Sequence, residues 1–540
     1  MQHTMMSVLR RTVLGLGLAC SALLPLTASA LTAEQALQLV EGEADERVAQ
    51  LLQLAASDDP RAHALIRALS DESVQVQEGR VLVVQGAQAV DAVSGEAVPL
   101  GSLAEEAVVN NRLRGALDSA LAGMDLLEGD NTRQAQAAAT LQRGAFDDPN
   151  PAQLPLVERA LSAEFASKLD PATRESLLLA QAALHLASND AAQRIAATQK
   201  LAQTGQPIVK ALLAQRLAVE ADATVKTALG QALRTVENRL DTAAALGQMF
   251  TGISLGSILL LAALGLAITY GLMGVINMAH GELIMIGAYA TYLVQVAFRQ
   301  YLPDAFDWYL LAALPLSFLA AALVGAAMER SVIRFLYGRP LETLLATWGI
   351  SLVLMQGVRS LFGAQNVGVE NPTWMSGGIT LMGSLTLPWN RIVIVAFALA
   401  VLLAVALLIG KTRLGLFVRA VTQNRPIASC MGVNTARIDT YAFALGSGIA
   451  GLAGCALSQV GNVGPDLGQN YIVDSFMVVV LGGVGQLAGT VYAALGLGLL
   501  NKLLEGWVGA VLAKIAVLVF IIVFIQKRPQ GIFALKGRQA

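Results

Sequence analysis

Two hydrophobic patterns share this chain, and they change over near residue 245. Before it, once the first thirty residues are set aside, charges are frequent and no apolar run is long enough to span a bilayer. After it, long apolar runs recur, separated by short loops. The runs cover 253–270, 283–298, 309–328, 344–362, 392–409, 441–460, 475–484, 487–504 and 511–525. A bilayer-spanning helix needs about 20 apolar residues, so several of these runs span outright and others are short or interrupted. The pattern predicts an all-α polytopic membrane domain over 246–540, with eight to ten transmembrane segments, some of them discontinuous.

The stretch 31–245 has a different period. Leu37, Val40, Val48, Leu51, Leu52 and Leu54 keep roughly helical spacing. Asp58-Asp59-Pro60 and Asp147-Asp148-Pro149 are expected to break helices and to supply N-cap oxygens. Between 74 and 100 the apolar residues alternate around Gly79 and Ser94-Gly95, which predicts a small β-hairpin or meander. Residues 133–141 and 194–201 resemble each other, and each is followed by a proline-containing break and a leucine-rich helix. Stacked pairs of the HEAT type and a plain helical bundle both fit this pattern. His63 and His185 fall in helical patterns without partners and read as structural or surface residues.

The first thirty residues carry Arg10 and Arg11, then a short apolar run over 13–26, then Ala28-Ser29-Ala30. This is the pattern of a cleaved signal peptide, and it makes 31–245 an exported, periplasmic domain. Gly17 stands where a lipoprotein site at Cys20 would want an aliphatic residue. Arginine and lysine cluster at Arg330, Arg334 and Arg339, again between Lys411 and Arg437, and in the tail at Lys527, Arg528, Lys536 and Arg538. By the positive-inside rule these three regions face the cytoplasm. An outside N-terminus and an inside tail require an odd number of crossings. That is met if 475–484 and 487–504 are separate segments split at the glycines Gly482, Gly483 and Gly485.

Charged residues make up 14% of the chain and the net charge is -2, and no basic tract points to nucleic acid. Removing the leader leaves Cys430 and Cys455, both in the membrane half. The exported domain is therefore expected to lack disulfides, and no spaced Cys/His metal site is present in the sequence. Gly410-Lys411-Thr412 lacks the first glycine of a phosphate loop, because Val405 occupies that place, so no nucleotide site is expected.

The most chemically loaded stretch is GLMGVINMAHGELIMIGAY, 271–289. It sets Asn277, His280 and Glu282 between two apolar runs. Polar groups at membrane depth mark either a substrate path or a buried structural contact. The glycines allow a broken helix, a device by which transporters place a binding site at the midplane. Gly482, Gly483 and Gly485 are candidates for the same path. The basic loop 411–437 predicts a short helix begun at Pro426 and ended at Gly432. Such a helix, parallel to the membrane, is expected to dock on another protein through the small residues Ala428 and Gly432; the other reading of the loop is plain positive-inside decoration.

These residues resemble a known family. The 271–289 stretch, the loop ending MGVN (431–434), VLGGVG (480–485) and KRPQGIF (527–533) are similar to signatures of LivH-type branched-chain amino acid ABC permeases. Within that family the exported extension, the wording VINMAHGE (275–282) and the ending GIFALKGR (531–538) look most like the urea-transporting members. The choice of urea over leucine rests on that resemblance alone. The resemblance implies no cofactor on this chain. ATP would be used by two cytoplasmic ATPase subunits, one of them docking on Arg419, Asn424, Arg425, Ala428, Gly432, Val433 and Asn434. A second related permease and a periplasmic substrate-binding protein would complete the complex in the inner membrane. A receptor would instead require an output domain, and an ion-coupled carrier would require paired acidic groups at mid-membrane. Neither feature is found in the sequence.

Overall fold

The computed structural model describes residues 31–533 except Asp58, Ala87, Leu100, Ser102, Leu103 and Lys168. The expected signal peptide and the tail residues Lys536 and Arg538 lie outside the described residues. The chain divides into two compact units, one up to Leu240 and one from Asp241.

The first unit opens with three helices: α1 (Ala33–Glu41), α2 (Ala44–Ala55) and α3 (Pro60–Ser70). Thr32 and Gln35 form a reciprocal capping box at the start of α1. A five-stranded antiparallel sheet follows: β1 (Val74–Gln77), β2 (Arg80–Gln85), β3 (Gln88–Asp91), β4 (Ala97–Val98) and β5 (Glu105–Glu106). Its order is β4-β3-β2-β1-β5. The alternation between 74 and 100 anticipates β1 to β4. The edge strand β5 is two glutamates long, too short and too polar to show periodicity.

Seven helices continue the unit: α4 (Asn111–Glu128), α5 (Asn131–Asp147), α6 (Leu154–Ala160), α7 (Ala163–Ala166), α8 (Pro171–His185), α9 (Ala191–Ala202) and α10 (Pro207–Val219). Packing runs serially, α4 on α5, α5 on α8, and α8 on α9. The two similar stretches occupy corresponding places in α5 and α9. Carboxylate and amide oxygens cap the helix starts at Asp59, Asn110, Asp130, Asp170 and Asp190. Each such cap contributes about 1 kcal/mol. The cap expected at Asp147-Asp148 is corrected: Asp147 ends α5, and the next turn is capped by Asn150, whose Oδ1 accepts from Ala152 N at 3.0 Å. His63 is buried and its Nε2 donates to the Ser57 carbonyl at 2.9 Å, consistent with a structural role.

Helix α11 (Ala223–Met273) contributes to both units. Val225, Leu229, Ala232 and Val236 belong to the first core, and 258–268 belong to the second. The second unit then contains α12 (His280–Tyr301), α13 (Tyr309–Ser331), α14 (Pro340–Phe362), the hairpin β6 (Gly378–Leu381) and β7 (Leu385–Pro388), and α15 (Trp389–Lys411). After these come α16 (Arg413–Gln423), α17 (Arg425–Cys430), α18 (Thr435–Ser458), α19 (Leu467–Gly482), α20 (Leu487–Val508) and α21 (Ala510–Lys527).

Among the described residues eight helices are long and apolar enough to span a bilayer, and α19 is a ninth, shorter apolar helix. Apolar windows of α11 and α18 are 83% and 78% buried, those of α14 and α21 only 17% each. The first two are therefore inner helices, and the outer ones present leucine, valine and isoleucine to their surroundings. Two boundaries differ from expectation. The short run at 475–484 is the second half of α19, which begins at Leu467, because Tyr471 and Asp474 dilute its first half. The basic loop holds two helices, since α16 precedes the expected turn.

Candidate functional site

Helix α11 stops at Met273, where Gly274 takes φ +67. Residues 274–279 are non-helical, and α12 begins at His280. The break expected from the glycines is thus present. Its polar side chains are fully enclosed: Asn277 and His280 are 0% exposed and Glu282 1%. Asn277 Oδ1 accepts from Ala279 N at 3.1 Å, while its Nδ2 has no partner. His280 Nε2 lies 2.9 Å from the Ala262 carbonyl, which can only accept, so Nε2 carries the proton. Nδ1 is left without a partner. Glu282 Oε1 accepts from the Ser351 hydroxyl at 2.9 Å, and Oε2 is unpartnered. Three buried polar atoms on one broken segment are thus unsatisfied, where buried polar groups are ordinarily paired.

Beyond the Ala262 carbonyl on α11, the partners that other elements give this segment come from α14. Thr343, Thr347 and Ser351 form a buried stripe at i, i+4 and i+8. Thr347 Oγ1 accepts from Met278 N at 3.1 Å and lies 3.4 Å from the Ile276 carbonyl. Sequence reading missed Thr347 and Ser351. The signal was their helical spacing in a run otherwise exposed and apolar.

The glycine candidates meet this junction through the backbone. A Cβ on Gly271 would lie 2.5 Å from Gly485 Cα, and one on Gly482 would lie 2.5 Å from the Gly489 carbonyl carbon. Gly483 and Gly485 have φ +99 and +82, where a side chain is strained. Ile532 N donates to the Leu481 carbonyl at 2.8 Å. Three separate sequence stretches, around 271–282, 481–485 and 531–533, therefore converge. The glycines have a packing reason for being small, and none is itself a polar ligand.

A second cluster surrounds α17. Asn424 caps α17, with Oδ1 accepting from Ile427 N at 3.1 Å. Gly432 N donates to the Ser429 carbonyl and Val433 N to that of Ala428, at 3.0 and 3.1 Å. This is a Schellman termination with Gly432 at φ +84. Asn434 caps α18. Arg425 pairs with Asp439 and lies 4.6 Å over the Tyr337 ring. Tyr337 donates to Glu329 Oε1 at 3.1 Å, and Thr440 donates to Glu329 Oε2 at 2.7 Å. Burial and the Glu329 carboxylate push the Tyr337 hydroxyl pKa up, which keeps it a donor. Arg419 is exposed, its Nε donating to the Gly415 carbonyl at 3.3 Å.

One expectation is corrected here. Ala428 is 5% exposed and packs within this chain, so it offers no surface to a partner. The exposed apolar side chains of the loop around α17 are Ile427 and Met431, 60% and 79% exposed, while Leu416 and Phe417 on α16 are exposed as well. Glu329, Tyr337 and Asp439, which tie the loop to α13 and α18, were not foreseen. Glu329 and Asp439 stand as acidic residues at the polar edges of apolar runs, a signal that does not reveal pairing.

The family described as "Branched-chain amino acid transport system / permease component" matches residues 248–526. LivH of Salmonella typhimurium, a high-affinity branched-chain amino acid transport system permease protein, is 31% identical over 297 residues, 53% of this chain and 94% of its own. BraD of Pseudomonas aeruginosa, described in the same terms, is 28% identical over 293 residues, 53% of this chain and 95% of its own. The ribose import permease protein RbsC of Escherichia coli K12 is 28% identical over 143 residues, 25% of this chain and 38% of its own. No solved structure matches.

Proposed function

Because the chain belongs to the family of branched-chain amino acid transport system permease components, we propose that it is the membrane-spanning permease subunit of an ATP-driven importer, and that urea is its substrate. The observation carrying the transport reading is the broken segment with unsatisfied Asn277, His280 and Glu282 atoms at the centre of a multi-pass membrane unit. Such groups are expensive in a membrane and mark a path. The permease forms half of that path, a second related permease the other half. Two cytoplasmic ATPases consume ATP, and a periplasmic protein delivers substrate. The basic loop faces the cytoplasm, with Ile427 and Met431 presented to an ATPase while Arg425 and Asp439 carry loop movement to α18. The first unit is periplasmic and serves docking.

The urea assignment rests on the resemblance of the sequence to urea-transporting members, the extension included. Residues 1–247 lie outside the family match, an extension beyond what covers nearly all of LivH. The second reading, branched-chain amino acids, is favoured by what the LivH and BraD relatives transport by name. Uptake of radiolabelled urea and leucine at low concentration, in cells with and without the gene, separates the two. Loss of urea uptake alone is expected. Loss of leucine uptake alone keeps the permease reading and replaces the substrate. Unchanged uptake of both overturns the proposal.

A further inference from the structure

The cleft beside α17 has a charge balance that its own side chains leave open. It encloses about 420 Å³ between the end of α13, the start of α18 and the loop after α13. Four arginines line it: Arg330, Arg334, Arg425 and Arg437. Both carboxylates in its wall are buried and already engaged, Asp439 by Arg425 and Glu329 by Tyr337 and Thr440. Among the described residues Arg330, Arg334 and Arg437 have no carboxylate partner, and Arg334 only stacks 4.9 Å over Phe335. Arg437 lies in the first turn of the 24-residue helix α18, which carries no acidic residue there. A cation at a helix N-terminus opposes the helix dipole, and a bound anion reverses that penalty.

What lies next to the cleft selects the kind of anion. Arg330 is in the last turn of α13, a candidate membrane span. Leu316, Leu319 and Leu323 are 48%, 51% and 69% exposed on that helix. Their spacing of three and four, then seven to Arg330, places all four on one face. The stripe from Leu316 to Arg330 runs about 21 Å at the α-helical rise, comparable with an acyl chain. A free phosphate or a partner's carboxylate would use the arginines alone, whereas a phospholipid would use both the arginines and the lipid-facing stripe. We propose that this cleft binds the phosphate headgroup of an anionic phospholipid whose acyl chain lies along Leu316, Leu319 and Leu323. The lipid would sit against Arg425 and Asp439, the pair joining the basic loop to α18. The site does not depend on which solute is carried.

The test uses the purified full chain in a neutral detergent, with dioctanoyl phosphatidylglycerol, dioctanoyl phosphatidylcholine and inorganic phosphate as probes. Thermal stabilisation and native mass spectrometry are read together. Phosphatidylglycerol is expected to raise the melting temperature saturably and to bind at unit stoichiometry, with phosphatidylcholine at least tenfold weaker. The double variant Arg330→Gln/Arg437→Gln should weaken phosphatidylglycerol binding at least tenfold. The pair Arg330→Lys/Arg437→Lys should retain most of it, which covers a glutamine variant that fails to fold. Leu319→Asn/Leu323→Asn should weaken phosphatidylglycerol binding. Equal stabilisation by inorganic phosphate would overturn the lipid assignment. So would phosphatidylglycerol binding that the glutamine variant leaves unchanged. Absence of lipid binding, with loss of copurifying ATPase in the same variant, would assign the arginines to a protein partner instead.

Discussion

The two units of this chain solve the same packing problem in different solvents. In the first, helices are separated by alanine and leucine side chains, started by carboxylate caps, and locked by a buried ionic clamp. Glu220, 7% exposed, accepts from Arg194 Nη2 at 3.2 Å and from Arg216 Nη2 at 2.9 Å. In the second, helices approach through glycine. A Cβ on Gly281 would lie 2.6 Å from the Gly468 carbonyl oxygen, and one on Gly256 would lie 2.9 Å from Leu495 Cα. Gly287 and Gly451, and Gly454 and Ile284, make similar close contacts between α12 and α18. Water rewards burial of apolar side chains, so the first unit gains by packing leucine, valine and alanine side chains between its helices. Lipid offers no such reward between helices, so the second gains by bringing backbones together.

Substitutions can break this contrast at points of decreasing effect. Gly281→Leu should abolish uptake and monodisperse behaviour on size exclusion, since overpacking against backbone costs about 3 kcal/mol or more. Retained folding would show that the close approach is dispensable. Glu220→Ala should destabilise the first unit by about 3–5 kcal/mol by stranding Arg194, read by hydrogen exchange within 191–240, with the spans of the second unit unchanged. Burial raises the Glu220 pKa, but the Asp222 backbone N–H and the two arginines outweigh it, so the carboxyl titrates below its ordinary value. Its stabilisation is therefore fully present above the ordinary glutamate range and is lost as pH falls through the lowered value. Exchange protection that does not drop on acidification in the wild type, relative to Glu220→Gln, would contradict this.

Ser351→Ala removes the partner of Glu282 and should cost about 1–3 kcal/mol, with a fall in uptake that Ser351→Thr restores. An unchanged uptake rate would make Ser351 incidental to the path. Gly432→Ala should destabilise the loop by about 1 kcal/mol through its left-handed φ, whereas Met431→Asp should leave the melting temperature within a degree and reduce ATPase copurification. Smallest of all, Gly230→Ala should stabilise α11 by about 0.5–1 kcal/mol, because a Cβ there meets open space. Destabilisation would place an unseen contact on that face.

The helical membrane half was legible in the sequence because hydrophobic length and glycine placement act locally. The break at Gly274, the termination at Gly432 and the sheet around Gly79 each depend on a few neighbouring residues. The α16 helix and the start of α19 were less legible, since polar residues dilute their apolar signal. Ala428 shows the limit most clearly: its smallness suggested a partner, yet α17 turns it inward and exposes Ile427 and Met431.

What the sequence determined by itself was the division into two hydrophobic regimes, the positions of the spans and the presence of polar groups where a membrane disfavours them. Only the tertiary structure decided their partners. Ser351 reaches Glu282 across 69 residues, Thr440 reaches Glu329 across 111, and Gly271 meets Gly485. Periodicity records which face of a helix is buried. It carries no information about which other helix covers that face, because that is fixed by the mutual fit of all the helices together.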